Sequence, residues 1–364
     1  MTASANAGAN SARAGAPILP VHYVLPMRWS EDKGLAELAD YLESIREFVD
    51  VIVVDGSDPD RRRQHRAALP EDITVLDCAN TTCLNGKVAG VLTAVPMLHR
   101  ANTVIADDDV RYEPEDLFRI VGELDRADLV IPQNHFSAPG SHRVPWHARW
   151  DTARSLLNRA FGSDYPGTLA LRTTMLADGY DGDVLFENLE LIRTVKARGR
   201  IVRSVRDLFV ARRPPSFAGF AGQRIRQAYD SCAQPLRFLV ELSLLPLAVA
   251  SARRPRRLAA MVVLVIGIAE VGRRRASGTS VFPASASFWA PLWVAERAVC
   301  AWWALALRLR GGVTYHGRRI PVAAHSQAQL RKVQHEPQES SAEPRRTIVA
   351  RPAAVGPSRK VSEL

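Results

Sequence analysis

The chain reads as an α/β protein, a mainly parallel sheet flanked by helices and followed by a C-terminal hydrophobic helical region. Three observations predict this. From Ile18 to about Val210, β-branched apolar runs alternate with amphipathic stretches and short polar turns, the pattern of stacked βα units. After Arg213 the composition changes to hydrophobic stretches separated by arginines. The 364 residues are 47% hydrophobic and 24% charged, enough apolar material to bury a core, which excludes wholesale disorder.

The elements follow in order. Residues 1–17 are rich in Ala, Ser, Gly and Asn without an apolar run, so they read as a disordered lead-in and not as a signal peptide. His22 to Leu25 is a short apolar strand that Pro26 should stop. Leu35, Leu38, Leu42 and Ile45 stand at helical spacing within residues 34–48. Val51 to Val54 is an unbroken β-branched run, a buried strand that delivers Asp55 at its carboxyl end. In open α/β sheets that edge is where ligands sit. Thr74 to Leu76 and Thr103 to Ala106 repeat the plan around a helix expected over residues 88–98, and the second runs straight into Asp107, Asp108 and Asp109. His135, His142 and His147, beside Trp146 and Trp150, read as a polar loop. The first unit is expected to span residues 18–230.

Residues 231–326 carry three hydrophobic stretches, Leu236 to Ala252, Leu258 to Val271 and Phe288 to Leu309, bounded by Arg253, Arg254, Arg256 and Arg257 and by Arg273 to Arg275. A clean membrane span needs ~20 apolar residues. These stretches are short or broken by Glu241 and by Glu296-Arg297, so they predict association with membrane lipids and leave the number of spans open. Trp289, Trp293, Trp302 and Trp303 suit a bilayer interface, and the arginines suit anionic headgroups on the cytoplasmic side of an inner membrane. A buried helical domain is the competing reading. Residues 327–364, charged and Ser- and Pro-rich, read as a disordered tail.

Charge and motifs bound the function. Forty-eight Lys and Arg against 38 Asp and Glu give +10, which points to an anionic partner. Four cysteines are too sparse for a disulfide-stapled secreted domain and favour a reducing setting. No G-x-G-x-x-G or Walker-type loop is present, which argues against a dinucleotide oxidoreductase and a P-loop ATPase. Three adjacent acids at a strand end repel one another, and a cation offsets that cost; hard oxygen ligands select Mg²⁺ or Mn²⁺.

The set Val53-Val54-Asp55-Gly56-Ser57, Asn85-Gly86-Lys87 and Ile105-Ala106-Asp107-Asp108-Asp109-Val110 resembles the nucleotide-sugar half of family-2 glycosyltransferases of the GT-A fold, with Asp107 and Asp109 on the acids of a D-x-D motif. The resemblance covers about residues 18–230. It implies that Asp55 approaches the nucleobase, that Lys87 lies near the nucleotide, and that Asp107 with Asp109 hold ribose and a metal-bridged diphosphate. Pro26, Asp108 and Gly167 join the expected donor side, Gly167 in a Gly-rich segment over 165–172 that a plain Pro-Gly turn also explains. Phe186 to Leu191 matches the place where the family shows Glu-Asp at a helix start, one acid activating the acceptor hydroxyl. Asn188 stands where the aspartate would be and cannot take a proton, which leaves Glu187 as the expected base and Glu190 as its rival, with Asp181 and Asp183 behind them. Gln223 and Arg226 resemble the Q-x-x-R-W motif of membrane-bound members, with Gln227 in place of Trp; in that subgroup the motif holds the acceptor end and diphosphate. Gly311 to Arg319 looks like the W-x-G-R strand that closes such enzymes.

The implied reaction is metal-dependent, inverting transfer from a UDP- or GDP-sugar to a lipid-linked or polysaccharide acceptor, with no nucleic acid as partner. Two rivals stand beside it: a nucleotidyltransferase, which would release pyrophosphate, and a catalytically inactive membrane scaffold of the same fold, which Asn188 keeps in play.

Overall fold

The computed structural model describes residues 19–78, 82–140, 143–315 and 317–335. The first half alternates as expected: β1 (Val21–Met27), α1 (Leu35–Ile45), β2 (Asp50–Asp55), α2 (Pro59–Ala68), β3 (Thr74–Asp77), α3 (Gly86–Ala94) and β4 (Asn102–Ala106). Then come β5 (Val110–Arg111), α4 (Pro114–Leu124), β6 (Leu129–Phe136), α5 (Trp146–Phe161), β7 (Thr168–Arg172), α6 (Glu187–Ala197), β8 (Val202–Arg212) and α7 (Phe217–Asp230). The eight strands form one sheet in the order β3-β2-β1-β4-β7-β6-β8-β5. β5 and β7 run against the other six, so the sheet is mainly parallel but mixed.

Local chemistry explains the boundaries. α1 buries Leu38, Tyr41, Leu42 and Ile45 on one stripe, and the Asp32 carboxylate accepts the first free amides, Gly34 and Leu35. α3 starts two residues earlier than expected because Asn85 caps it, and it ends at Ala94 because Pro96 cannot continue it. β1 does not stop at Pro26: Pro26 pairs with Val54 and the strand runs on to Met27. Its ladder with β4 ends at Val24, so the missing amide of Pro26 falls where β1 has one neighbour instead of two. The region of His135 and His147 is not a loop. His135 lies in β6, and His147, with Trp146 and Trp150, opens α5; His142 lies outside the described residues.

The C-terminal stretches form α8 (Pro235–Ser251), α9 (Pro255–Arg274) and α10 (Ala290–Leu309). None of the described helices is long and apolar enough to cross a membrane. The three are fastened to the sheet half. Arg159 of α5, fully buried, donates to the carbonyls of Gly272 and Arg206 and to the Gln133 side chain, and a Cβ at Gly272 would lie 1.8 Å from the Leu156 carbonyl oxygen. Only glycine lets α9 approach α5 that closely. A hairpin of β9 (Val313–Tyr315) and β10 (Arg318–Ile320) then returns the chain to the strand ends, and Val184 bridges Val322. The tail expected to be disordered from Gln327 begins with a further helix, α11 (Gln327–His335), packed beside α6. Its side-chain bonds, such as Gln327 to the Lys196 carbonyl, give it partners that composition does not show.

Candidate active site

A cavity of about 910 Å³ opens at the carboxyl ends of β1, β2 and β4. Pro26, Lys87, Asp107, Asp108, Asp109, Glu187, Gln223 and Arg226 all line it. Topology brings them together: β4 ends in the aspartates, the cap of α3 places Lys87, the first turn of α6 places Glu187, and α7 supplies Gln223 and Arg226. The Asn85 side chain both accepts from the Lys87 amide (3.0 Å) and donates to the Val184 carbonyl (3.0 Å), tying the start of α3 to the approach of α6.

The three aspartates do not face one point. Asp107 takes Lys87 Nζ at 2.6 Å, Asp109 takes Arg212 Nε at 2.7 Å, and Asp108 turns to the Trp29 indole N–H and, at 3.9 Å, to Lys33. Lys87 also reaches Glu187 at 3.0 Å, so one ammonium bridges the aspartate cluster and the carboxylate expected to act as base. Burial works against that charge, but Asp107 and Glu187 overcome it and hold the Lys87 pKa above its ordinary value. Burial pushes Asp109 up to about 6, with Asp107 and Asp108 adding to it and Arg212 opposing. Its Oδ1 is shut off from solvent and has no hydrogen-bond partner among the described residues. An unsatisfied hard oxygen beside a second carboxylate is the donor chemistry of a divalent oxygen-seeking cation, so Asp107 and Asp109 fit Mg²⁺ or Mn²⁺.

Four expected residues take other places. Asp55 does not line the cavity: it is fully buried, with one oxygen accepting the Ser57 amide (2.8 Å) and the other facing His65 Nδ1 (2.7 Å). It organises the turn after β2 from below. Glu190 is also fully buried and gives both oxygens to His325, to its amide at 2.7 Å and its ring at 3.0 Å, so it latches the segment after β10 and is withdrawn as a base. Asp183 accepts the Leu84 amide (2.8 Å) and Asp181 the Asp183 amide (2.7 Å), a loop role. Of the acids around Asn188, only Glu187 faces the cavity. Asn188 itself donates to the Pro166 carbonyl (2.9 Å) and accepts from Lys87 (3.3 Å), work an amide does and a carboxylate could not do in full.

Gly167 matters for a close approach. A Cβ there would lie 2.4 Å from Asp107 Oδ2, and its amide donates to Asn134 (2.8 Å). The backbone of the 165–172 segment therefore presses on the aspartate that holds Lys87.

Sequence reasoning missed Trp29, Arg212 and Tyr315. Arg212 was within reach of it: a basic pair at the end of a strand, just before Pro214-Pro215, stands opposite the acids of β4 once the strands align. Trp29, almost wholly buried, carried no such mark.

No family model matches the chain, and no curated protein matches it. Among solved structures it is similar to a mannosyltransferase from Pyrobaculum calidifontis in complex with GDP-Man and Mn²⁺ (17% identity, 81% of this chain and 76% of that one, TM-score 0.42). It is also similar to glucosyl-3-phosphoglycerate synthase from Mycobacterium tuberculosis in complex with Mn²⁺, UDP and phosphoglyceric acid (17% identity, 55% of this chain and 73% of that one, TM-score 0.39). At such scores the likeness decides neither fold nor activity; the side chains of the cavity must do so.

Proposed function

We propose that the chain is a family-2-like glycosyltransferase of the GT-A type that uses Mg²⁺ or Mn²⁺ and a UDP- or GDP-sugar donor. One observation carries the reading: the aspartate cluster and a separate carboxylate, Glu187, share one cavity and are joined through a single ammonium, Lys87. Asp107 and Asp109 would hold the ion, which supplies positive charge to a departing nucleoside diphosphate. Lys87 and Arg212, already fixed beside the acids, add cationic charge on the same side without rearranging solvent. Glu187 accepts the acceptor hydroxyl proton while the hydroxyl oxygen forms the new glycosidic bond and the bond to the diphosphate breaks, which inverts the anomeric carbon.

The acceptor we propose is a lipid-linked or envelope saccharide, reached from the cytoplasmic side of an inner membrane. Supporting this, α8 to α10 expose large apolar side chains, Leu236 at 82%, Val263 at 68% and Trp303 at 57%, and the arginines between α8 and α9 are exposed as well. The test is transfer of labelled sugar from UDP- or GDP-donors by the full chain in membranes, with and without EDTA. Metal-dependent transfer releasing nucleoside diphosphate is the expected result. Release of pyrophosphate from a nucleoside triphosphate would instead establish the nucleotidyltransferase, and donor inertness across the panel would leave the scaffold.

A further inference from the structure

Beside the donor cavity lies a smaller chamber of about 240 Å³, and Asp107, Glu187, Gln223 and Arg226 line both. The 165–167 segment and α7 form two of its walls. Resting on the glycosyl-transfer reading, we propose that Asp164 and Asp151, two buried carboxylates that line neither cavity, are positioning residues of the transfer site. Asp164 sets the 165–167 segment against Asp107, and Asp151 sets α7, which carries Gln223 and Arg226.

The segment touches the site at two points. The Asp107 amide donates to the Gly167 carbonyl at 2.9 Å, and Asn188 donates to the Pro166 carbonyl at 2.9 Å, so a shift of this backbone moves the aspartate expected to hold the cation and the neighbour of Glu187 together. Asp164 stands directly before it. Three donors of α5 converge on that carboxylate: Arg154 Nη1 at 2.9 Å, Ser155 Oγ at 2.5 Å and Asn158 Nδ2 at 2.7 Å. Positions 154, 155 and 158 lie on one face of a helix, so the entry to the segment is fixed against that face.

One turn earlier on α5, Asp151 accepts from Arg224 Nη1 of α7 at 2.9 Å and meets Arg154 Nε at 3.6 Å. Burial works against the Asp151 charge, but Arg154 and Arg224 outweigh it and hold its pKa below the ordinary carboxylate value. Arg224 is buried, donates its Nε to the Phe220 carbonyl at 3.2 Å and lies 4.0 Å over the Phe220 ring, which leaves it one direction. Its neighbours on α7, Gln223 and Arg226, line the cavities instead. From α7 to the segment, Arg224, Asp151, Arg154 and Asp164 alternate in sign, with Glu296 of α10 at 3.5 Å from Arg224. Buried ion pairs add little stability over apolar packing of the same volume; in the proposed role, what these add is direction.

The experiment is native-state hydrogen exchange of the full chain, read peptide by peptide, beside calorimetric titration with UDP or GDP in the presence of Mn²⁺. Asp164→Asn should speed exchange about tenfold in residues 165–172 and weaken nucleotide binding about tenfold. Asp151→Asn should speed exchange about tenfold in α7. Because that change strands a buried guanidinium, the double variant Asp151→Asn/Arg224→Met, which removes both charges, is measured beside it and should loosen α7 as well. Arg154→Met, which meets both acids, should loosen both segments, and Arg154→Lys should restore part of the loss. In every variant β1 to β4 should exchange as in the wild type. The proposal is overturned if exchange rises evenly along the chain, if the aspartate variants leave their segments at wild-type rates, or if Asp164→Asn binds nucleotide as tightly as the wild type. Failure of the wild-type chain to bind UDP and GDP alike would overturn the glycosyl-transfer reading instead, and the exchange rates, which need no ligand, would still decide what Asp164 and Asp151 hold.

Discussion

At the strand ends of the sheet, acids and bases meet in pairs: Lys87 with Asp107 and Glu187, Arg212 with Asp109, Arg111 and Arg213 with Glu37. In the C-terminal helices the distribution is turned inside out. Arg297 of α10 is fully buried with none of its three side-chain nitrogens bonded to a described residue, and Glu296 meets Arg224 only at 3.5 Å without a hydrogen bond among the described residues, while Leu236, Val263 and Leu309 lie exposed. A buried, poorly paired charge costs several kcal/mol, and an exposed apolar face forgoes ~25 cal/mol per Å². The sheet half thus gathers paired charges around one cavity, whereas the helical half keeps an unbonded guanidinium inside and apolar side chains outside. Both halves meet at Arg226 and Tyr315.

The largest expected effect breaks the sheet half alone. Asp109→Ala should lower transfer by about 10³-fold while thermal unfolding and vesicle binding stay those of the wild type. Glu187→Gln should follow, with a loss of about 10²–10⁴-fold in kcat and donor affinity retained in a nucleotide titration. Glu190→Gln should leave the chemistry in place and cost ~1–3 kcal/mol in denaturant unfolding, because it loosens the His325 latch. If the two swap phenotypes, Glu187 is not the base. Gly167→Ala forces its Cβ against Asp107, and at ~1–3 kcal/mol of strain the expected loss of donor affinity is about tenfold, read by the same titration.

The smallest effect concerns the junction. The Asp230 pKa is raised from 3.8 to about 7, so between those values the folded chain holds a proton that the unfolded chain has lost, and stability falls as pH rises through that window. Asp230→Asn should remove this fall: its Tm should exceed that of the wild type by a few degrees at pH 8 and match it at pH 4. Equal Tm values at both pH values would show that Asp230 is solvated.

What the residues told in advance divides along the same line. Strand ends were legible because β-branched runs stop abruptly in acids, but the start of α3 was set two residues late, because the cap at Asn85 is a local side-chain bond that apolar spacing does not show. Glu187 was placed at a helix start but could not be separated from Glu190, since the two differ only in whether a segment more than a hundred residues later covers them. Asp55 looked like a cavity residue and is not, because His65 on the next helix claims it. The helical stretches were found with nearly the right bounds, yet hydrophobicity could not say that α9 is pinned to α5 through Gly272, a tertiary fact.

The proposed chemistry requires a divalent ion and a nucleoside diphosphate to lodge together at the carboxyl end of β4. A crystal of the full chain grown with Mn²⁺ and UDP or GDP tests it directly by anomalous scattering. The expected result is a manganese peak bonded to carboxylate oxygens of Asp107 and Asp109 and to the diphosphate, with Glu187 across the cavity. A nucleotide bound elsewhere, or aspartates still paired with Lys87 and Arg212 and no manganese between them, would contradict it.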